Sequence, residues 1–142
     1  MKFTKASWAL AGFVFLVLAA CQVGTPSDAI SINTKQVPVS AMVSIAKAAQ
    51  KCWFKSKDPA FRNLRLANEV NSPSGRPRFL LVNRIDPTGL PQLVVQAEQR
   101  GDSASGKFTN IQTFGPLLQT GHGKRITDDV KRWSKGNKEC LA

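Results

Sequence analysis

The chain has 142 residues, 42% of them hydrophobic and 20% charged, which is the composition of a folded protein and excludes wholesale disorder. That length fits one domain and leaves no room for a second sizeable core. Lys and Arg number 20 against 9 Asp and Glu, a formal charge of +11, and three Cys with one His are too few for a Cys/His zinc site once Cys21 is committed as described below.

The first twenty residues read as an address. Lys2 and Lys5 precede an apolar run from Ala6 to Ala20 that includes Trp8, Phe13, Val14, Phe15, Leu16, Val17 and Leu18. A positive start, a short hydrophobic stretch and small residues at its end form the signal-peptide pattern. The run is shorter than the roughly 20 residues a membrane-spanning helix needs, and it has no polar face to suit a surface helix of a folded core.

The run closes on Leu18-Ala19-Ala20-Cys21, which resembles the lipobox of bacterial lipoprotein precursors. The resemblance implies that residues 1–20 are removed, that Cys21 becomes the N-terminus, and that it carries a diacylglycerol thioether and an N-linked acyl chain. Several chains anchor far more firmly than one, because each buried methylene contributes about 0.8 kcal/mol. Ordinary cleavage after Ala20, leaving a free thiol on Cys21, is the alternative. Gln22 stands where an Asp would resemble an inner-membrane retention signal. The expected location is therefore the cell envelope, on the outer rather than the inner membrane, with the domain in the periplasm.

With Cys21 acylated, Cys52 and Cys140 remain in an oxidising compartment and are expected to pair. Closing so long a loop contributes roughly 4–5 kcal/mol in chain-entropy terms. The competing reading makes Cys52 a nucleophile assisted by His122. Nothing in the sequence orients that pair, and His122 sits between Gly121 and Gly123 in what reads as a mobile loop.

Residues 21–37 read as a flexible tether, with Gly24, Thr25, Pro26, Ser27 and Asp28, and an Ile30/Ile32 alternation compatible with a short strand. Residues 38–142 form the single globular domain. Pro38-Val39-Ser40 opens a helix to about Phe54, with Ser40 as N-cap. Met42, Ile45, Ala46, Ala49, Cys52 and Trp53 make its apolar stripe, and Lys47, Lys51 and Lys55 lie opposite.

From Leu64 the period changes to two. Leu64, Leu66 and Val70 alternate with Arg65, Ala67 and Glu69 as a half-buried strand, and residues 71–77 are turn-rich. Phe79-Leu80-Leu81-Val82 is apolar on both faces, as expected of a central strand. It pairs as a hairpin with Leu93–Ala97 across Asp86-Pro87-Thr88-Gly89, where Gly89 is expected to supply a positive φ. Phe108–Phe114 is assigned as a fourth strand. Thr127 reads as the N-cap of a last helix, with Asp128 and Asp129 in its first turn. Ile126, Val130, Trp133 and Cys140 fall on one face of that helix, and Lys124, Lys131, Lys135 and Lys138 on the other. Gly136 is expected to fray its end.

The plan is α+β: a helix, an antiparallel sheet of three to four strands and a second helix, with both helices on one sheet face. The Cys52-Trp53 pair and the Asp86-Pro87-Thr88-Gly89 turn, in this element order, resemble the C-terminal domains of TolA and TonB. The resemblance is one of structure and transfers no functional residue.

Removing Lys2 and Lys5 still leaves nine excess positive charges. A basic surface outside the inner membrane meets lipopolysaccharide phosphates, anionic phospholipids, peptidoglycan carboxylates and acidic envelope proteins, whereas nucleic acid is not an expected partner. Lys47, Lys51, Lys131, Lys135 and Lys138 form one candidate patch for an anionic ligand, if the two helices lie side by side; the competing reading is that they only keep the domain soluble. The Arg100-Gly101-Asp102 triplet reads as a turn. No metal or cofactor is expected. The functional expectation is a non-catalytic, lipid-anchored domain that binds or supports another envelope component. The alternatives are a cell-wall or lipid-modifying enzyme using Cys52, His122 and Asp129, and an inhibitor that inserts its 71–77 or 100–107 loop.

Overall fold

The computed structural model describes residues 29–141, so residues 1–20, read above as a signal peptide, and Cys21 and Gln22 lie outside the described residues. The fold is α+β, as expected, but the sheet has five strands rather than three or four. In chain order they are β1 (Ile30–Thr34), β2 (Leu64–Glu69), β3 (Arg78–Asn83), β4 (Leu93–Arg100) and β5 (Phe108–Phe114). All neighbours are antiparallel, in the spatial order β1-β5-β4-β3-β2.

Alternation decides which face is covered. Leu93, Val95 and Ala97 of β4 are buried, and their cross-strand partners Leu81, Phe79 and Ile111 are buried with them. These side chains share one core with Met42, Ile45 and Trp53 on one side of the chain's middle and with Ile126, Val130 and Trp133 near its end. Both helices, α1 (Pro38–Ala49) and α2 (Gly123–Ser134), therefore lie on the same sheet face. Gln96, Gln112 and Glu98 belong to the other face, where Gln96 Nε2 donates to Gln112 Oε1 at 2.8 Å. β3 is internal to the sheet, in keeping with its apolar residues on both faces.

Several details differ from expectation. β1 pairs with β5 along Ile30↔Thr113 to Thr34↔Thr109, so the folded unit starts near residue 30 and takes in much of the segment read as tether. Asn110 Nδ2 fixes this edge by donating to Ser31 Oγ and Asn33 Oδ1 at 2.6 and 2.8 Å. In α1 the N-cap is Val37 with Pro38 at the first position, not Ser40; proline needs no backbone partner there and its φ is already helical. Helical winding continues past Ala49 as a π-helical turn, Gln50–Lys55, in which the Ser56 amide donates to Lys51 O at 3.2 Å. Gly89 has no positive φ. A Cβ there would come within 2.9 Å of the Asp86 carboxylate, an exposed side chain that can turn aside.

α2 begins one turn before Thr127. Gly123 is its first residue because a Cβ at that point would collide with the Leu118 carbonyl, and His122 occupies the N-cap position instead of a mobile loop. Thr127 Oγ1 donates to Gly123 O at 2.8 Å, and Asp128 pairs with Lys124 at 2.6 Å, so neither caps the helix. The helix stops at Ser134. Gly136, at φ 95°, turns the chain back rather than fraying, and Cys140 lies on the returning tail instead of on the helix face.

Candidate functional site

The returning tail explains the disulfide. Glu139 O accepts from Arg132 at 2.9 Å and from Trp133 Nε1 at 3.4 Å, which presents Cys140 to the π-helical turn. Cys52 and Cys140, 88 residues apart, are joined with Cα atoms 5.1 Å apart. His122 is exposed at the start of α2. The sulfur that an acid–base partner would have to activate is thus already bonded.

The two helices that carry the candidate lysines are in contact, and all five lysines are exposed. Lys47 lines a groove with Val43, Leu66 and Asn68, on the β2 side of α1. α2 carries Lys131 and Lys135 as exposed residues, and it packs against β1 at the opposite edge of the sheet. Lys51 is exposed on the π-helical turn and Lys138 on the tail.

What the helices do bring together is a buried aromatic and ionic junction. Trp53 stacks on Phe61, centroids 4.7 Å apart and planes 11° from parallel, and meets Trp133 at 5.0 Å. Trp53 Nε1 donates to Asp129 Oδ2 at 2.8 Å across 76 residues of sequence. The other carboxylate oxygen of Asp129 accepts from Arg132 at 2.6 Å. Arg125 reaches from the same helix to Asp58. Burial alone would raise the Asp58 carboxyl, but the Arg125 hydrogen bond, the Ala60 amide at 2.9 Å and the Arg125 charge together hold it below the usual carboxylate range. Asp129, expected as an acidic first-turn residue of α2, is instead the hydrogen-bond centre of this junction.

On the outer side of the junction lies a cavity of about 490 Å³, within the range of small-molecule sites. The half-buried Phe54, with the buried Trp53 and Phe61 behind it, forms its apolar wall, and Lys57, Arg62 and Arg84 also line it. Among the described residues none of these three cations forms an ion pair, and the one carboxylate in the wall, Asp58, is engaged by Arg125. Arg84 is held in place: its amide donates to Asn63 O at 2.9 Å and its guanidinium to Leu64 O at 3.2 Å.

Two backbone irregularities meet at the same wall. The π-helical turn carries Trp53 and Phe54, and such turns concentrate at functional positions. Lys57 follows it in the left-handed region, at φ 59°, where glycine is the usual occupant of a helix C-terminus. Residues 55–63 have neither helical nor alternating period, so periodicity passes over them. The interleaving of Phe54, Lys57, Phe61 and Arg62 is the signal the sequence holds for this site.

Among the described residues no three His, Cys, Asp or Glu side chains gather in a way that would hold a metal ion, and no helix is long and apolar enough to cross a membrane. No family model matches the chain, and comparisons with curated proteins and with solved structures find no significant match.

Proposed function

We propose that the protein is a lipid-anchored component of the bacterial cell envelope whose domain binds another envelope constituent without catalysing a reaction. Cys21 at the end of the lipobox-like Leu18-Ala19-Ala20-Cys21 is the anchor point, and the segment from Cys21 to β1 joins it to the domain. The observation that carries the binding half of this reading is the cavity at the Trp53–Phe61 junction, where three cations that have no ionic partner among the described residues stand beside an aromatic wall. The Cys52–Cys140 disulfide supports the non-catalytic half, because a bonded sulfur cannot serve as the thiolate of a Cys52/His122 enzyme. It also suits the oxidising space in which an envelope domain resides.

The test is metabolic labelling of cells with an alkyne fatty acid, comparing the wild-type chain with Cys21→Ser. Label on the wild type and none on the variant is the expected result. Equal label on both would overturn the anchor.

A further inference from the structure

We propose that the cavity bounded by Phe54, Phe61, Lys57, Arg62 and Arg84 binds a phosphate-bearing ligand with an apolar body, the phosphate held by the cations and the body set against the aromatic wall. This rests on the reading of the domain as a binding module and names the chemistry that its site would take.

The charges favour phosphate. Lys57 supplies a flexible ammonium and Arg62 and Arg84 two planar guanidinium forks, a combination suited to a dianion with several oxygens. The Leu64 carbonyl occupies only part of the Arg84 fork and fixes its direction before any ligand arrives. Asp58 does not repel an anion at full strength, because Arg125 and the Ala60 amide already satisfy its carboxylate. The apolar half follows from Phe54, which is only half-buried, backed by the Trp53–Phe61 stack.

The wall is also rigid. The Cys52–Cys140 bond and the Trp53–Asp129 hydrogen bond fix the π-helical turn at two successive residues, so less order remains to be imposed on binding. Lys57 is the remaining clue. A left-handed backbone at the end of a helix is most easily met by glycine, and here a long cation stands at that position and lines the cavity.

Two sources share this chemistry: the phosphomonoester headgroup of a lipid and a soluble aromatic phosphate. Isothermal titration of the purified full-length protein would use inorganic phosphate, phenyl phosphate and dihexanoyl phosphatidic acid as probes. Saturable binding of at least one organic phosphate, at least about tenfold tighter than inorganic phosphate, is expected, and the tighter of the two identifies the source. Arg62→Gln, an exposed position, is expected to weaken that binding about fivefold to tenfold, the loss of a charge-assisted hydrogen bond. Arg84→Gln should do the same, with circular dichroism checking its fold. Lys131→Gln/Lys135→Gln should leave affinity unchanged. Absence of saturable heat with all three probes, inorganic phosphate binding as tightly as the organic phosphates, or equal losses from the Lys131/Lys135 variant would each overturn the assignment. The acyl-labelling result at Cys21 is read independently in cells, so failure of the pocket and failure of the anchor are distinguishable.

Discussion

Asp129 is the residue whose loss should be felt most. Its side chain is 4% exposed and makes two strong bonds, to Trp53 Nε1 at 2.8 Å and to Arg132 at 2.6 Å. Asp129→Ala leaves the fully buried Trp53 with an unsatisfied indole N–H, about 1–3 kcal/mol, and removes a charge-assisted hydrogen bond of about 1.5–3 kcal/mol. Arg132 softens the loss, because it is 15% exposed and keeps the Glu139 carbonyl. The expected destabilisation is therefore about 3–4 kcal/mol, a large share of the 5–15 kcal/mol of an ordinary domain. Asp129→Asn retains an acceptor for Trp53 but not the charge, and should lose about half as much. Urea unfolding at neutral pH with the disulfide intact, followed by tryptophan fluorescence and far-ultraviolet circular dichroism, measures both. In a double-mutant cycle, Trp53→Phe should reduce the cost of Asp129→Ala by about 1 kcal/mol or more, because the donor is already gone. A loss below about 1 kcal/mol for Asp129→Ala would refute the view that this junction holds the helices together.

The remaining predictions concern the same region. Replacing both Cys52 and Cys140 by Ser opens a loop of 88 residues; chain entropy gives about 4.5 kcal/mol, and a loss of about 2–4 kcal/mol in urea unfolding is expected. A non-reducing digest should yield a Cys52–Cys140 peptide, and reactive Cys52 thiol in protein isolated without reductant would contradict the pairing. Asp58 has a depressed carboxyl, so its contribution to stability is complete above its unfolded value near 4 and is lost as pH falls through the lower folded value. Acid unfolding of the wild type should show this loss below about pH 4, and Arg125→Gln should remove most of it. Lys57→Gly should relieve the left-handed backbone and raise stability by about 0.5–1 kcal/mol while weakening phosphate binding. Lower stability with unchanged binding would deny Lys57 both roles.

How much the sequence discloses varies with the element. α1 and the β3–β4 hairpin are legible because each has a long, clean period: Met42, Ile45, Ala46 and Ala49 at helical spacing, and Leu93, Val95 and Ala97 at strand spacing, are all buried as their pattern requires. The bridge was legible by counting, once Cys21 was assigned elsewhere. β1 is harder to see, since it is a five-residue edge strand whose registration depends on β5, nearly eighty residues away. The start of α2 misleads because Thr127-Asp128-Asp129 imitates a cap, whereas the constraint that sets it is the closeness of Leu118 to Gly123, which is tertiary. The cavity is least visible. Its cations come from the irregular stretch after α1 and from Arg84 beyond β3, brought together by the pairing of β2 with β3 and the packing of Trp53 on Phe61.

The proposed association of this domain with a membrane turns on the chemistry of Cys21, which mass spectrometry of the N-terminal peptide of protein taken from cell membranes reads directly. The account predicts a peptide that begins at Cys21 and carries the added mass of a diacylglycerol thioether. A peptide with an unmodified Cys21 thiol, or one that still holds residues 1–20, would contradict it.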